Sequence, residues 1–453
     1  MSEWARDAVG YHFYPLGTLG APHHNDGHSE PVSRLPRLGE WVDHLRWLGV
    51  DTVLLGPVWE SSTHGYDTAD LFQVDRRLGT ESDLRALIDR FHEAGIRVLF
   101  DAVFHHVGRD HFAFRDLRER GGASQYRTWF CGVSFAHGNH LGDSFTYDAW
   151  NGALELVKLD VRVHEVREHL FAAARHWFER YGVDGLRLDA ADVLDRDFQR
   201  DLAAVVREVV PSAWLLGEVI HGDYRDWAGP GRLDATTDYA ARKGLYSAFN
   251  DGNLHEIAWT LDQHYGPAGR YQDLPLATFV DNHDVERVGS IIRGPASLYP
   301  LHLLLLSMPG VPFIYYGSEW GIEGRANGSD WPLRPALDWP VDVRSMPHPD
   351  LADTIARLTT VRHASSALRH GDYRQLHVAP RQLAFSRRAG DDVAVVAINA
   401  SAEACPIDVA VDVPDGTTLM DALDPACVIR VEGGRLRCPD VPANWGRIFV
   451  SAR

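Results

Sequence analysis

GLRLDAAD, Gly185 to Asp192, is the stretch on which the reading of this chain turns. It has strand character, and side chains on a strand alternate faces with period two. Arg187 and Asp189 therefore share one face, and Leu186 and Leu188 share the other. In an ordinary core, two ions on one face would cost several kcal/mol each in lost solvation. Those charges must stand in a pocket that uses them or meet solvent.

Outward from this stretch the chain alternates strand and helix. VGYHFYPLG, DTVLLGPV, IRVLFDAV, WLLGEV, RLDATTDY, ATFVDNHD and PFIYYGSE read as strands. Amphipathic patterns lie between most of them. ESDLRALIDRFHEAG is one helix, with Thr80 as its N-cap and Gly95 as its stop. A last helix is expected over 352–364. Roughly eight alternations predict a parallel (β/α)8 barrel, because polar residues cluster at the C-terminal ends of several different strands. The segment 104–157, rich in His, Gly and aromatics, reads as an irregular insertion after the third strand. It splits the barrel into 1–103 and 158–370. From 371 to 453 the texture becomes period-two with turn signals, which predicts an antiparallel β-sandwich domain.

Composition narrows the function. The chain has 453 residues and a net charge of −18. That acidity argues against a nucleic-acid or anionic-membrane partner. No apolar run is long enough to span a bilayer, and MSEWARDAVG does not read as a signal peptide. The four cysteines are dispersed without a CxxC pair, so no zinc site is expected. The expected compartment is the cytoplasm.

The strand ends supply the chemistry. They carry Asp101, His105 and His106; Arg187 and Asp189; Glu218; and His283 and Asp284. Three carboxylates at one barrel mouth suit glycosidic bond cleavage. A retaining enzyme needs one carboxylate to attack and one acid to protonate the leaving oxygen, about 5–5.5 Å apart. Asp189 is the expected nucleophile, Glu218 the acid/base, and Asp284 the residue that binds sugar hydroxyls and favours the oxocarbenium-like transition state. Arg187 would hold its neighbour ionised. Asp101 reads as a structural carboxylate bonded to Arg187. His23, His24 and His28 in HHNDGH read as solvated loop residues. Of Trp59, Trp150, Trp227, Trp320 and Trp331, near the mouth, two are expected as sugar platforms.

DAVFHH, GLRLDAAD, GEV and FVDNHD, in this order, resemble the four motifs of the α-amylase superfamily, glycoside hydrolase family 13. The resemblance covers nearly the whole chain. It implies substrate-binding roles for Arg187, His106 and His283, and a Tyr66 that stacks on a sugar, with Asp67 beside it. It also implies that 104–157 is the family's domain B and the tail its domain C. GEVIHGDY resembles the GE-x-WH stretch of the neopullulanase, cyclomaltodextrinase and maltogenic amylase group, which adds His221 to the substrate-binding set. LVKLD resembles that group's MPKLN, with Asp160 in place of Asn. The substrate implied is a small linear or cyclic maltooligosaccharide, such as a cyclodextrin or cyclic maltosyl-maltose, cut to maltose. A glucanotransferase and a non-catalytic binding subunit are the rival readings. The group's N-terminal β-domain is expected to be absent, so any homodimer would be built differently. The family's calcium-ligating Asn is His105 here. Imidazole is a poor ligand for a hard cation, so the expectation is no metal and no required cofactor.

Overall fold

The computed structural model describes residues 3–451. Eight parallel strands form the central sheet: β1 (Gly10–Phe13), β2 (Thr52–Leu55), β3 (Arg97–Ala102), β4 (Gly185–Leu188), β5 (Trp214–Gly217), β6 (Ala235–Thr236), β7 (Ala277–Phe279) and β8 (Val311–Tyr315). Their order is β6-β5-β4-β3-β2-β1-β8-β7. An isolated parallel bridge from Thr237 to Ala277 joins the two edges and closes the barrel. The strands read as continuous apolar runs because helices cover one face and the packed barrel interior the other. β6, in RLDATTDY, is the shortest of the eight.

Local chemistry sets the elements around it. The helix Glu81–Glu93 begins at a reciprocal cap. Thr80 Oγ1 accepts from the Asp83 N–H (3.2 Å), and Asp83 Oδ2 accepts from the Thr80 N–H (2.8 Å). Its buried face is Leu84, Leu87, Ile88 and Phe91, a helical repeat. Asp195 caps Arg196–Val209 one way, its Oδ1 accepting from the Phe198 N–H (2.8 Å).

The segment after β3 is less irregular than its sequence predicts. His106–Gly108 pairs antiparallel with Leu156–Lys158, and Phe112–Arg120 is a helix. That helix buries Ala113, Phe114 and Leu117 but has no side-chain cap, so its start carries no local signal. A hairpin of Trp59–Ser61 and Thr68–Val74 stands after β2.

The C-terminal region is antiparallel. β9 (Asp372–Ala379), β10 (Gln382–Ala389), β11 (Asp392–Asn399), β12 (Cys405–Ala410), β13 (Thr418–Asp421), β14 (Asp424–Arg430), β15 (Arg435–Val441) and β16 (Trp445–Ser451) make a six-stranded sheet ordered β9-β10-β11-β16-β13-β14 and a two-stranded β12-β15 sheet. Val393, Val395, Val409, Leu436 and Phe449 are among the residues of the separate core they share. Among the described residues, no helix is long and apolar enough to cross a membrane.

Candidate active site

The guanidinium of Arg187, on β4, organises the barrel mouth. Its Nη1 donates to Asp101 Oδ1 (2.6 Å) and to Asp189 Oδ1 (2.9 Å), and its Nη2 meets Glu218 Oε1 (2.8 Å). All four side chains are buried. One cation thus gathers three carboxylates from the ends of β3, β4 and β5. A buried cluster of this kind is stable only because every charge is paired and hydrogen-bonded.

Backbone geometry completes the pair Asp189–Glu218. Ala190 adopts φ +47°, a left-handed conformation that costs a residue with a Cβ roughly 1–2 kcal/mol. The turn aims its N–H at Glu218 Oε2 (3.1 Å). Gln199 steadies the loop by donating to the carbonyls of Ala191 (2.7 Å) and Leu194 (2.9 Å).

Asp284, past the end of β7, is held from the other side. Arg334 Nη2 donates to its Oδ1 (2.9 Å), and His283 Nε2 meets its Oδ2 (2.8 Å). Its side chain keeps 38% exposure, so it faces the cavity. His283 Nε2 also makes a short contact with the Tyr66 hydroxyl, which donates to Asp101 Oδ2 (2.8 Å). The Tyr66, His283 and Tyr14 rings lie nearly parallel. His283 is thereby fixed in orientation, and its Nδ1 has no protein partner.

The electrostatics divide the carboxylates. Burial pushes Asp189 up, Arg187 pulls it down, and Glu218, Asp101 and Asp284 push it up again; the net direction is well above the ordinary carboxylate range. Loss of solvation also pushes Asp284 up, but His283, Arg334 and Arg187 outweigh it and hold Asp284 well below the usual range. His106 is pushed down to about 3 by burial and by His105, so it is neutral. Its Nε2 is buried without a partner.

These groups share a cavity of about 510 Å³. Tyr66, His106, Asp189, Glu218 and Asp284 line it, with Trp150 and Ile220 as its exposed apolar wall. Asp67 lies behind the wall, where its Oδ2 accepts from Thr63 Oγ1 (2.7 Å). His221 is exposed on the loop after β5 and is not among the lining residues. Of the five tryptophans, Trp150 alone lines the cavity. Trp59 is buried and stacked on Trp177, Trp320 is buried, Trp227 packs under Arg196, and Trp331 stacks on His23. Two platforms were expected among these five; only Trp150 is among the cavity's lining residues, and the other four pack against protein groups.

Arg334, Tyr239 and His64 are among the lining residues that escaped the sequence reading. Arg334 pairs with Asp284 from the loop after β8. Tyr239 donates to Glu218 Oε1 (3.2 Å) and accepts from Asn282 Nδ2 (3.0 Å). His64 lines the cavity beside Tyr66. Tyr239 follows β6 directly, so its place at a strand end was a usable signal. Arg334 lies in a long loop and had none.

A calcium ion does not fit at His105. Its imidazole is buried, is pushed down to about 4 by burial and by the nearby Lys158 ammonium, and faces His106 Nδ1 (3.2 Å). A cation would meet a soft donor and a like charge there.

The model of the alpha-amylase catalytic domain matches residues 25–336. A cyclomaltodextrinase from a Bacillus species is 30% identical over 423 residues, 87% of this chain and 73% of that protein. Neopullulanase 2 of Thermoactinomyces vulgaris is 30% identical over 445 residues, 93% and 74% of the two chains. Among solved structures, the ligand-free cyclic α-maltosyl-(1→6)-maltose hydrolase from Arthrobacter globiformis superposes with a TM-score of 0.83 at 25% identity, over 100% of both chains.

Proposed function

The chain belongs to the alpha-amylase family of glycoside hydrolases, and from that membership we propose that it hydrolyses α-1,4 and α-1,6 bonds of small cyclic and linear maltooligosaccharides, releasing maltose. The observation that carries the reading is the single guanidinium of Arg187 bridging Asp189 and Glu218 in one cavity. Two carboxyls on the two terminal nitrogens of one arginine stand close together. Such proximity is in keeping with direct attack by a carboxylate, the retaining arrangement.

In this reading Asp189 attacks the anomeric carbon while Glu218 gives its proton to the departing glycosidic oxygen. The C–O bond breaks, and a glycosyl ester forms on Asp189. Glu218, now ionised, takes a proton from water as that water attacks the same carbon. The ester breaks, both carboxyls return to their first states, and one water is consumed with retention. Asp284, kept ionised by His283 and Arg334, holds sugar hydroxyls and offers negative charge to the oxocarbenium-like transition state. The unpartnered Nε2 of His106 and Nδ1 of His283 are placed to bond further sugar hydroxyls. Tyr66 and Trp150 offer aromatic faces.

The choice of a small substrate is supported by a cavity of ligand size and by the likeness to the Arthrobacter hydrolase along the whole chain. The four cysteines are free, in keeping with a reducing compartment such as the cytoplasm. A time-resolved product profile on cyclic maltosyl-maltose, γ-cyclodextrin, pullulan and maltotetraose tests the proposal. Opening of the mixed-linkage ring to a linear tetrasaccharide and then maltose is the expected result. Products longer than the substrate would make the protein a transferase instead, and no turnover on any of the four would overturn the reading.

A further inference from the structure

A second cavity, of about 570 Å³, lies at the opposite end of the barrel from the catalytic mouth. The loops that enter β7 and β8, at Leu274–Pro275 and Pro309–Gly310, form one wall. The junction Arg369–Arg374, where the barrel passes into β9, forms another. Arg6 and Arg387 complete it, so both parts of the molecule contribute.

Its charge opposes that of the chain. Four arginines (Arg6, Arg369, Arg374 and Arg387) line a cavity in a protein of net charge −18. Two acids share the lining, and both are engaged. Asp273 pairs with Arg225, and Asp372 Oδ1 accepts from the Arg388 N–H (3.1 Å). Arg369 pairs with Asp7. Arg6 donates to the Asp273 carbonyl (3.1 Å), and Arg374 is exposed.

Arg387 is the telling group. It is buried, and its recorded partners are carbonyl oxygens of Ser307 (2.9 Å), Gly371 (2.9 Å) and Asp372 (3.1 Å). No carboxylate among the described residues pairs with it. Arg362, also buried, stands behind the same wall and donates to the carbonyls of Gly310 (2.6 Å) and Leu306 (3.1 Å), again without a carboxylate. Burial and Arg362 push Arg387 down to about 9. Two buried guanidiniums that touch no carboxylate among the described residues bias the cavity wall toward positive charge, offset in part by Asp372, and an anion is what such a wall attracts. The buried hydroxyl of Tyr373, a lining residue, has no hydrogen-bond partner.

We propose that this cavity binds a phosphate group, free or carried by a small sugar, and thereby clamps the C-terminal sheet to the base of the barrel. Arginine forks suit phosphate oxygens, and the cavity is roomy enough for an attached sugar. The site is independent of the catalytic reading, because it shares no residue with the active site.

The test is calorimetric titration of the full-length protein with inorganic phosphate, glucose 6-phosphate and glucose, alone and with saturating maltose. Saturable 1:1 binding of inorganic phosphate, of glucose 6-phosphate or of both, indifferent to maltose and absent with glucose, is expected; which of the two binds identifies the source of the phosphate group. Arg374→Ser and Arg6→Ser should each weaken that binding about tenfold. Both residues lie outside the catalytic machinery, so basal hydrolysis should be unchanged. Arg387→Met would remove the buried charge, and with it the phosphate-induced rise in Tm. If neither phosphate compound binds saturably, if maltose competes, or if Arg374→Ser and Arg6→Ser both bind phosphate like the parent protein, the proposal falls.

Discussion

Asp189 and Asp284 sit in one cavity under opposite electrostatic loads, and substitution should separate them. Asp189 binds its proton more tightly folded than unfolded. Its stabilising contribution is therefore present below the unfolded value of about 3.9 and is lost as pH rises toward the folded one. Asp189→Asn removes a carboxyl whose ionisation the fold resists. Its expected signature is activity lower by about 10⁴-fold or more with stability at neutral pH higher by about 1 kcal/mol. Asp284 is the reverse case. Its contribution is present above the unfolded value and lost as pH falls through the folded one, so Asp284→Asn should lower both activity and Tm at neutral pH. Thermal melts of the two variants beside their turnover numbers check the contrast; a shift of both Tm values in one direction would contradict it. Arg334→Ala should let the Asp284 carboxyl rise toward its ordinary range, which moves the acid limb of kcat/KM to higher pH. A pH–rate profile that does not move would remove Arg334 from the account. At this scale the sequence was informative where residues sit on strand ends. Arg187, Asp189 and Glu218 could be placed together because strand periodicity and barrel convergence are short rules. Arg334 could not, because a long loop has no periodicity, and its partnership with Asp284 spans 50 residues.

Elements were legible in proportion to how much of their signal is local. The helix Glu81–Glu93 announces itself through Thr80, the apolar repeat and Gly95. Thr80→Ala should cost about 1 kcal/mol in stability and leave kcat unchanged, as melts and initial rates would reveal. The helix Phe112–Arg120 has no cap, and its burial depends on packing against Phe130 and Tyr147, so nothing local marks it. The five tryptophans teach the same lesson. An aromatic near a barrel mouth has the same sequence signature whether it stacks on Trp177, as Trp59 does, or faces the cavity, as Trp150 does. Trp150→Ala should raise KM several-fold with a smaller change in kcat, since it removes a binding face distant from bond-making atoms. Unchanged KM across the oligosaccharide panel would deny Trp150 that role.

The whole molecule is a closed barrel that brings five strand ends to one mouth, and parallel strands with short apolar runs made that architecture readable. The base of the barrel was not readable in this way. Arg362 and Arg387 reach it from different elements, and only the packed fold shows that neither contacts a carboxylate among the described residues. The donors at His105 do not suit calcium, so EDTA should leave activity and Tm unchanged; a marked loss of either would show that a cation is bound. The central claim is that Asp189 forms the bond to sugar. The most direct measurement is mass-spectrometric peptide mapping of Glu218→Gln protein treated with an activated glucosyl fluoride, whose leaving group needs no proton. The account predicts a glucosyl ester on the peptide that carries Asp189, absent from Asp189→Asn protein. A glycosyl group on any other carboxylate, or turnover with inversion and no covalent adduct, would contradict it.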